Sequence, residues 1–216
     1  MPLAIFDLDN TLLHGDSDFL WGEHLVKLGV VDKADYATKN AQFFADYKAG
    51  TLDVIAYQQF ALQPLANNRM DDLIRWRSEF ITDTIQPLIG QAAVDLVQQH
   101  REQGDTLLII TATNSFVTRP IADLFSIPHL IGTEPEQQNN QFTGHIVGIP
   151  SFHTGKITRL QAWLSTQTVD LTGAYFYSDS QNDLPLLQTV DNPVAVNPDD
   201  ILRAHALEQQ WPILHL

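Results

Sequence analysis

Asp7 and Asp9 stand two residues apart at the end of a short apolar run, Leu3-Ala4-Ile5-Phe6. If that run continued as a strand, its period of two would turn both carboxylates to one face. Carboxylates that converge in this way repel unless a proton or a cation lies between them. Asp179 follows a second apolar run, Gly173-Ala174-Tyr175-Phe176-Tyr177, and Asp183 comes one helical turn later. Magnesium takes oxygen ligands and commonly keeps waters and a substrate phosphate in its shell, so these acids are candidate ligands. Lys156 follows Gly155 at a predicted helix start and can sit against the carboxylates and a phosphate. Thr111, after Leu107-Leu108-Ile109-Ile110, offers a hydroxyl to a phosphate oxygen, with the backbone N–H of Ala112 beside it. The chemistry that uses such a set is a two-step phosphoryl transfer. One carboxylate attacks phosphorus, and another group protonates the leaving oxygen and then activates water.

These residues are useful only if the chain gathers them. Asp7, Thr111 and Asp179 each follow an apolar run that breaks into a polar tip, and Pro193-Val194-Ala195-Val196 before Asn197-Pro198 repeats the pattern. Helical stretches near 91–103, 115–125, 155–166 and 182–189 separate the runs, which predicts parallel βαβ units and an α/β sheet flanked by helices. In such sheets ligands bind beyond the carboxyl ends of the strands, so all the polar tips share one edge. Residues 16–85 interrupt the alternation and read as helices near 17–28, 33–48, 53–62 and 70–83, with stops at Gly29 and Gly50. Trp21, Leu25 and Leu28 share one helical face, and Phe43, Phe44 and Tyr47 another. These aromatics and Trp76 are expected to form the core of the helical insert rather than a ligand box. Residues 131–149, with Gln138-Asn139-Asn140-Gln141 in their middle, predict a hairpin.

Composition narrows the partners. The 216 residues carry 12 Lys+Arg against 26 Asp+Glu, a net charge of −14. With no basic run to neutralise a phosphate backbone, nucleic-acid binding is not expected. The acidic balance repels anionic substrates at long range, so a phosphate site must supply its own positive charge. Cysteine is absent, which excludes disulfides and thiolate metal sites. The N-terminal residues lack a basic segment followed by a long apolar one, and no apolar run is long enough to span a bilayer. A cytoplasmic protein with no membrane partner is the expectation. The eight histidines show no metal-ligand spacing, and His14 and His153 are expected at the surface.

Phe6-Asp7-Leu8-Asp9-Asn10-Thr11-Leu12 resembles the first motif of the haloacid dehalogenase (HAD) superfamily, Asp-x-Asp-x-Thr. Thr111 resembles the second motif, Lys156 the third, and Ser178-Asp179-Ser180-Gln181-Asn182-Asp183 the fourth. The likeness spans the chain, and the helical insert resembles the type 1 cap of phosphoserine-phosphatase-like members. It implies a Rossmann-like core over 1–15 and 86–216 with a cap over 16–85, and a phosphatase dependent on Mg2+. It also implies that Asp7 is nucleophile and metal ligand. Asp9 would be general acid/base and bind the metal through its carbonyl. Asp179 would be a ligand, and Asp183 would support Lys156 and the metal's waters. The fourth motif departs from Gly-Asp-Gly in carrying serines, though the carboxylate is kept. Asp16 stands where phosphoserine phosphatases place the acid that binds the substrate amine. Their cap arginine for the substrate carboxylate has no counterpart in Tyr57-Gln58-Gln59-Phe60-Ala61-Leu62, and Arg69, Arg75 and Arg77 are expected as surface charge. A small phosphorylated metabolite of amino-alcohol type, such as histidinol phosphate, suits this set, with phosphoserine as the first alternative and phosphocholine-like or other small phosphomonoesters after it. A phosphomutase or phosphotransferase and a non-catalytic phospho-acceptor domain are the more distant readings.

Overall fold

Leu3–Phe6 have no exposed surface on either side, the burial of a middle strand in a parallel sheet. The computed structural model describes residues 2–216. This first strand, β1, is followed by four helices: α1 (Ser17–Lys27), α2 (Lys33–Ala49), α3 (Val54–Ala66) and α4 (Met70–Phe80). Then come α5 (Gln91–Gln103), β2 (Thr106–Asn114), α6 (Ser115–Leu124), β3 (His129–Thr133), β4 (Pro135–Gln138) and β5 (Gln141–Ile146). The chain closes with α7 (Thr154–Leu164), β6 (Tyr175–Ser178), α8 (Leu184–Leu187), β7 (Asn192–Val196), α9 (Asp200–Gln209) and β8 (Ile213–Leu214).

Six strands form one sheet in the order β3-β2-β1-β6-β7-β8, every neighbouring pair parallel. The order reverses between β1 and β6, and a ligand crevice is expected beyond the strand ends at that point. Alternation along the strands splits the core between the two faces. Leu3 and Ile5 pack with Leu108, Ile110, Phe176 and Ala195, whereas Ala4 and Phe6 pack with Leu107, Ile109, Tyr177 and Val194. The parallel α/β sheet flanked by helices is as expected from the sequence.

The predicted helices between β1 and α5 are present. Asp16, Asp32 and Asp53 cap α1, α2 and α3, each accepting from two backbone N–H groups. Gly50 ends α2 at φ 72°, the left-handed conformation that glycine adopts without strain. Trp21 and Leu25 are buried, but Leu28 is 38% exposed because it is the cap residue where the apolar face runs out. Beyond α4 the chain stays helical through a π-turn at Ile81–Ile85 and a 3-10 turn at Gln86–Leu88, past the predicted end at 83. The outgoing and returning chains are tied where His14 N–H donates to the Leu88 carbonyl, 2.9 Å away. Trp21, Leu62, Leu65, Leu73 and Phe80 belong to the same apolar cluster as Phe6, so the helices and that sheet face share one core.

Two expectations need correction. The hairpin is shorter than 131–149: residues up to Thr133 belong to the parallel sheet as β3, and the hairpin is β4–β5, turning at Asn139 and Asn140 with φ of 52° and 61°. The predicted helix 182–189 is a 3-10 turn at Gln181–Asp183 followed by the short α8, with Pro185 near its start. The edge strand β8 was not foreseen, since two residues carry no periodicity. Among the described residues no helix is long and apolar enough to cross a membrane.

Candidate active site

Asp7 extends the β1–β6 pairing by one residue, its N–H donating to the Tyr177 carbonyl at 2.9 Å. The chain then folds back: the N–H groups of Leu12 and Leu13 both donate to the Leu8 carbonyl at 3.0 Å. The strand therefore does not continue to Asp9, and the two carboxylates are not stacked on one strand face. Asp7 Oδ1 accepts from Lys156 Nζ at 2.7 Å, and the same ammonium donates to Asp183 Oδ2 at 2.7 Å. Ser178 Oγ donates to that Asp183 oxygen as well, again at 2.7 Å. Asp9 is held elsewhere, accepting from Ser17 N–H at 2.6 Å on Oδ1 and from Thr113 Oγ1 at 2.8 Å on Oδ2.

Lys156 reaches the crevice because of the turn before it. A Cβ on Gly155 would run into the Pro150 carbonyl oxygen, so only glycine fits that close approach. Thr111 and Ala112 are freed by an irregularity in the β2–β3 ladder. Ile110 pairs with Ile131, but the next pair is Asn114 with Thr133, leaving residues 111–113 unpaired on that side. The Thr111 hydroxyl accepts from Thr113 N–H at 3.2 Å and so keeps its own proton. Asn114 ends the strand and caps α6 through Val117 N–H.

Burial, with Asp183 and Asp9 nearby, pushes the Asp7 carboxyl up to about 7 despite Lys156. Burial followed by the charges of Asp7 and Asp183 holds Asp179 well above the usual carboxylate range. Burial disfavours the Lys156 ammonium, but Asp183 and Asp7 outweigh it and raise its pKa. Three carboxylates thus face one lysine, an excess of negative charge that a hard cation would neutralise. The Thr11 hydroxyl lies 3.3 Å from both Asp7 Oδ2 and Asp179 Oδ1, so those two carboxylates flank a single atom. Among the described residues no three His, Cys, Asp or Glu side chains form a closed metal cage. An open carboxylate pair is the arrangement magnesium uses when waters and substrate complete its shell, so the residues fit that ion. Each Asp9 carboxylate oxygen already accepts one hydrogen bond, from Ser17 or Thr113, so its carbonyl is the freer of its groups toward a metal.

Beside this cluster lies a cavity whose lining combines Asp7, Asp9, Asp16, Asp18, Thr111 and Ala112 with aromatic side chains. Phe43, Phe44 and Tyr47 form part of its wall with Phe19, Tyr57 and Phe152, and are not the core of the helical insert. Their face of α2 looks across to α1, α3 and the loop before α7: Phe44 packs 5.1 Å from Phe19, Phe43 5.3 Å from Tyr57, and Tyr47 6.0 Å from Phe152. Trp21 is core as expected, and Trp76 packs against it half-buried. Asp16 lines the cavity but also caps α1, its Oδ1 accepting from Asp18 and Phe19 N–H at 3.0 and 2.9 Å. Burial lifts the Asp16 carboxyl to about 6. No lysine or arginine of the described residues lines the cavity. Arg69 and Arg75 are exposed beside Asp71 and Asp72, as expected. Arg77 is half-buried instead, donating to the Phe116 carbonyl at 2.7 Å above that residue's ring. His14 and His153 are exposed, as expected. Thr11, Thr113 and Ser178 went unnoticed as site residues, although each lies within or beside a motif residue.

Residues 4–188 match the family described as haloacid dehalogenase-like hydrolase. The chain is 46% identical over 217 residues to the histidinol-phosphatase of Neisseria meningitidis serogroup C (strain 8013), covering 99% of this chain and 98% of that one. It is 31% identical to phosphoserine phosphatase SerB1 of Mycobacterium tuberculosis (strain ATCC 25618 / H37Rv), covering 97% of this chain and 69% of the relative. Among solved structures, a protein of unknown function from Bordetella pertussis Tohama I superposes with a TM-score of 0.93 at 41% identity, covering 99% and 97% of the two chains. A substrate-bound phosphoserine phosphatase superposes with a TM-score of 0.72 at 12% identity, covering 99% of this chain and 92% of that one, a likeness of fold alone.

Proposed function

Given that the chain belongs to the haloacid dehalogenase-like hydrolases and is a phosphatase of that family, we propose that it is a magnesium-dependent phosphomonoesterase that carries the phosphoryl group on Asp7. We assign it a small amino-alcohol phosphate, best represented by histidinol phosphate, as substrate. The observation that carries the mechanism is the Lys156 ammonium bonded to both Asp7 and Asp183 at the crevice where the strand order reverses.

Asp7 is the nucleophile. One of its oxygens bonds to phosphorus as the ester P–O bond breaks, and Asp9 gives its proton to the departing oxygen. Water then adds to phosphorus, Asp9 takes the water's proton, and the bond from Asp7 to phosphorus breaks to release phosphate. Burial and the charge of Asp16 bring the Asp9 carboxyl to about 6, where it both holds and yields a proton near neutral pH. The bonds from Ser17 and Thr113 fix its orientation. Lys156, the Thr111 hydroxyl and the Ala112 N–H bind the phosphoryl oxygens. Asp7, Asp179 and the Asp9 carbonyl would hold magnesium, and Asp183 positions Lys156. When bound, the ion supplies neutralisation of the charge that builds on the transferring group.

Residues 16–85 act as a cap over a core of 1–15 and 86–216. Contacts near the site support this: Gln181 Nε2 donates to the Lys48 carbonyl at 3.0 Å and Asn182 Nδ2 to the Tyr47 carbonyl at 3.2 Å, joining the end of α2 to the loop after β6. For the substrate, the cavity offers acids and aromatic faces and no cation to receive a carboxylate. An alcohol bearing an amine and an apolar or aromatic body fits that chemistry. Likeness to a histidinol-phosphatase along nearly the whole of both chains points the same way. Phosphoserine is the second reading, favoured by the likeness to SerB1.

Phosphate release from histidinol phosphate, phosphoserine, 2-aminoethyl phosphate and an aryl phosphate, with magnesium and with chelator, tests both halves. We expect the highest kcat/KM for histidinol phosphate and loss of turnover with chelator. A rate indifferent to chelator would remove the magnesium mechanism, and phosphoserine as the best ester would replace the substrate.

A further inference from the structure

We infer that Asp18, set by Tyr57 and joined by Gln58, is the residue pair's carboxylate-and-amide subsite that reads a positively charged N–H group on the leaving alcohol. Asp16, which the sequence pointed to, has a structural duty: its Oδ1 accepts both cap bonds of α1. Asp18 is 9% exposed, lines the cavity, and accepts only from the Tyr57 hydroxyl, 2.6 Å from its Oδ2, among the described residues. No lysine or arginine of the cavity lining neutralises it.

Gln58 is the independent observation. It is 3% exposed, lines the same cavity, and its Oε1 is buried with no hydrogen-bond partner. An amide oxygen without a partner is costly, and because the Gln58 side chain lines the cavity, turning its amide would offer that oxygen to a donor brought by a ligand. Tyr57 cannot be that donor's substitute, because burial and the Asp18 charge hold its hydroxyl protonated and bound to Asp18. The subsite therefore presents a buried carboxyl with no neutralising cation beside it, which a bound cation would hold ionised, and the aromatic walls of Phe19, Phe43 and Tyr47 suit a flat or apolar body attached to that cation. A protonated imidazole or ammonium has this chemistry, and a carboxylate or a neutral aryl group does not.

This inference rests on the amino-alcohol reading and deepens it. Binding of free histidinol, which carries no phosphate, reads the subsite without any turnover. Calorimetry on wild type, Asp18→Asn and Gln58→Leu should show histidinol binding weakened roughly ten- to a hundredfold by Asp18→Asn and less by Gln58→Leu. In parallel, Asp18→Asn should lose at least about tenfold more kcat/KM for histidinol phosphate than for an aryl phosphate, mainly through KM. Equal losses for the two esters, or histidinol binding unchanged in both variants, overturns the inference. So does a wild type that binds no histidinol while hydrolysing the aryl phosphate. Absence of aryl phosphate hydrolysis by wild type would instead count against the phosphatase mechanism, and histidinol binding would still decide the subsite. Should Asp18→Asn not fold, Gln58→Leu carries both measurements.

Discussion

Lys156 is 3% exposed and lies 2.7 Å from two carboxylates, so its charge is held by the same groups it holds. Removing one partner from such a buried set leaves the others uncompensated, which costs about 3–5 kcal/mol. We expect Lys156→Met to lose stability of that order above about pH 7, measured by urea unfolding without metal. The loss should shrink toward about pH 5, because the Asp7 carboxyl, already raised to about 7 with the lysine present, then takes up a proton. A loss independent of pH would mean that the carboxylates do not depend on the ammonium. Asp7 and Asp179 were legible because each follows an apolar run, and Lys156 because it follows a glycine at a helix start. Asp18, Tyr57 and Gln58 were not, since they sit inside helices where polar residues ordinarily face solvent. Their inward turn depends on how α1 and α3 pack, which no local spacing encodes.

The elements place these side chains through two local irregularities. The widened β2–β3 ladder frees Thr111 to Thr113, and the close approach at Gly155 aims Lys156. Substituting Gly155→Ala should shift the Pro150 turn, at a cost of roughly 1–3 kcal/mol for forced repacking. We expect kcat to fall more than the melting temperature, because Lys156 is displaced from Asp7. Full activity in Gly155→Ala would show that the turn does not set the lysine. Periodicity revealed β1, β2, β6, β7 and the four helices after β1, whose patterns are long or strongly apolar. It misjudged β3 and the hairpin, where a strand of the main sheet runs almost directly into a strand of another. It also took the aromatic face of α2 for a core face. A wall lining a cavity and a wall packed in a core have the same composition, and only the arrangement of α1, α3 and the Phe152 loop tells them apart.

Across the molecule, the buried acids of the site carry the main pH dependence: Asp7, Asp9, Asp16 and Asp18 are all raised to about 6 or 7, chiefly by burial. Each such group favours folding fully below its unfolded value of 3.8, and that contribution is lost as pH rises through its folded value. The metal-free protein should therefore lose this contribution to stability between about pH 4 and about pH 7. Magnesium needs the deprotonated carboxylates, so its stabilisation should grow over the same window. Melting curves with and without magnesium at about pH 5 and about pH 8 should show the larger shift at the higher pH, and Asp179→Ala should shrink it. A larger shift at the lower pH, or one untouched by Asp179→Ala, would contradict the proposed ligand set.

The phosphoryl group proposed for Asp7 is the point on which the mechanism turns. Acid quenching during turnover, followed by borohydride reduction, converts an aspartyl phosphate to homoserine, and peptide mass spectrometry then locates it. We expect homoserine at position 7 and nowhere else, with Asp7→Asn unlabelled, still folded and slower by roughly four decades or more. Homoserine at another aspartate, or turnover near the wild-type rate in Asp7→Asn, would contradict the role given to Asp7.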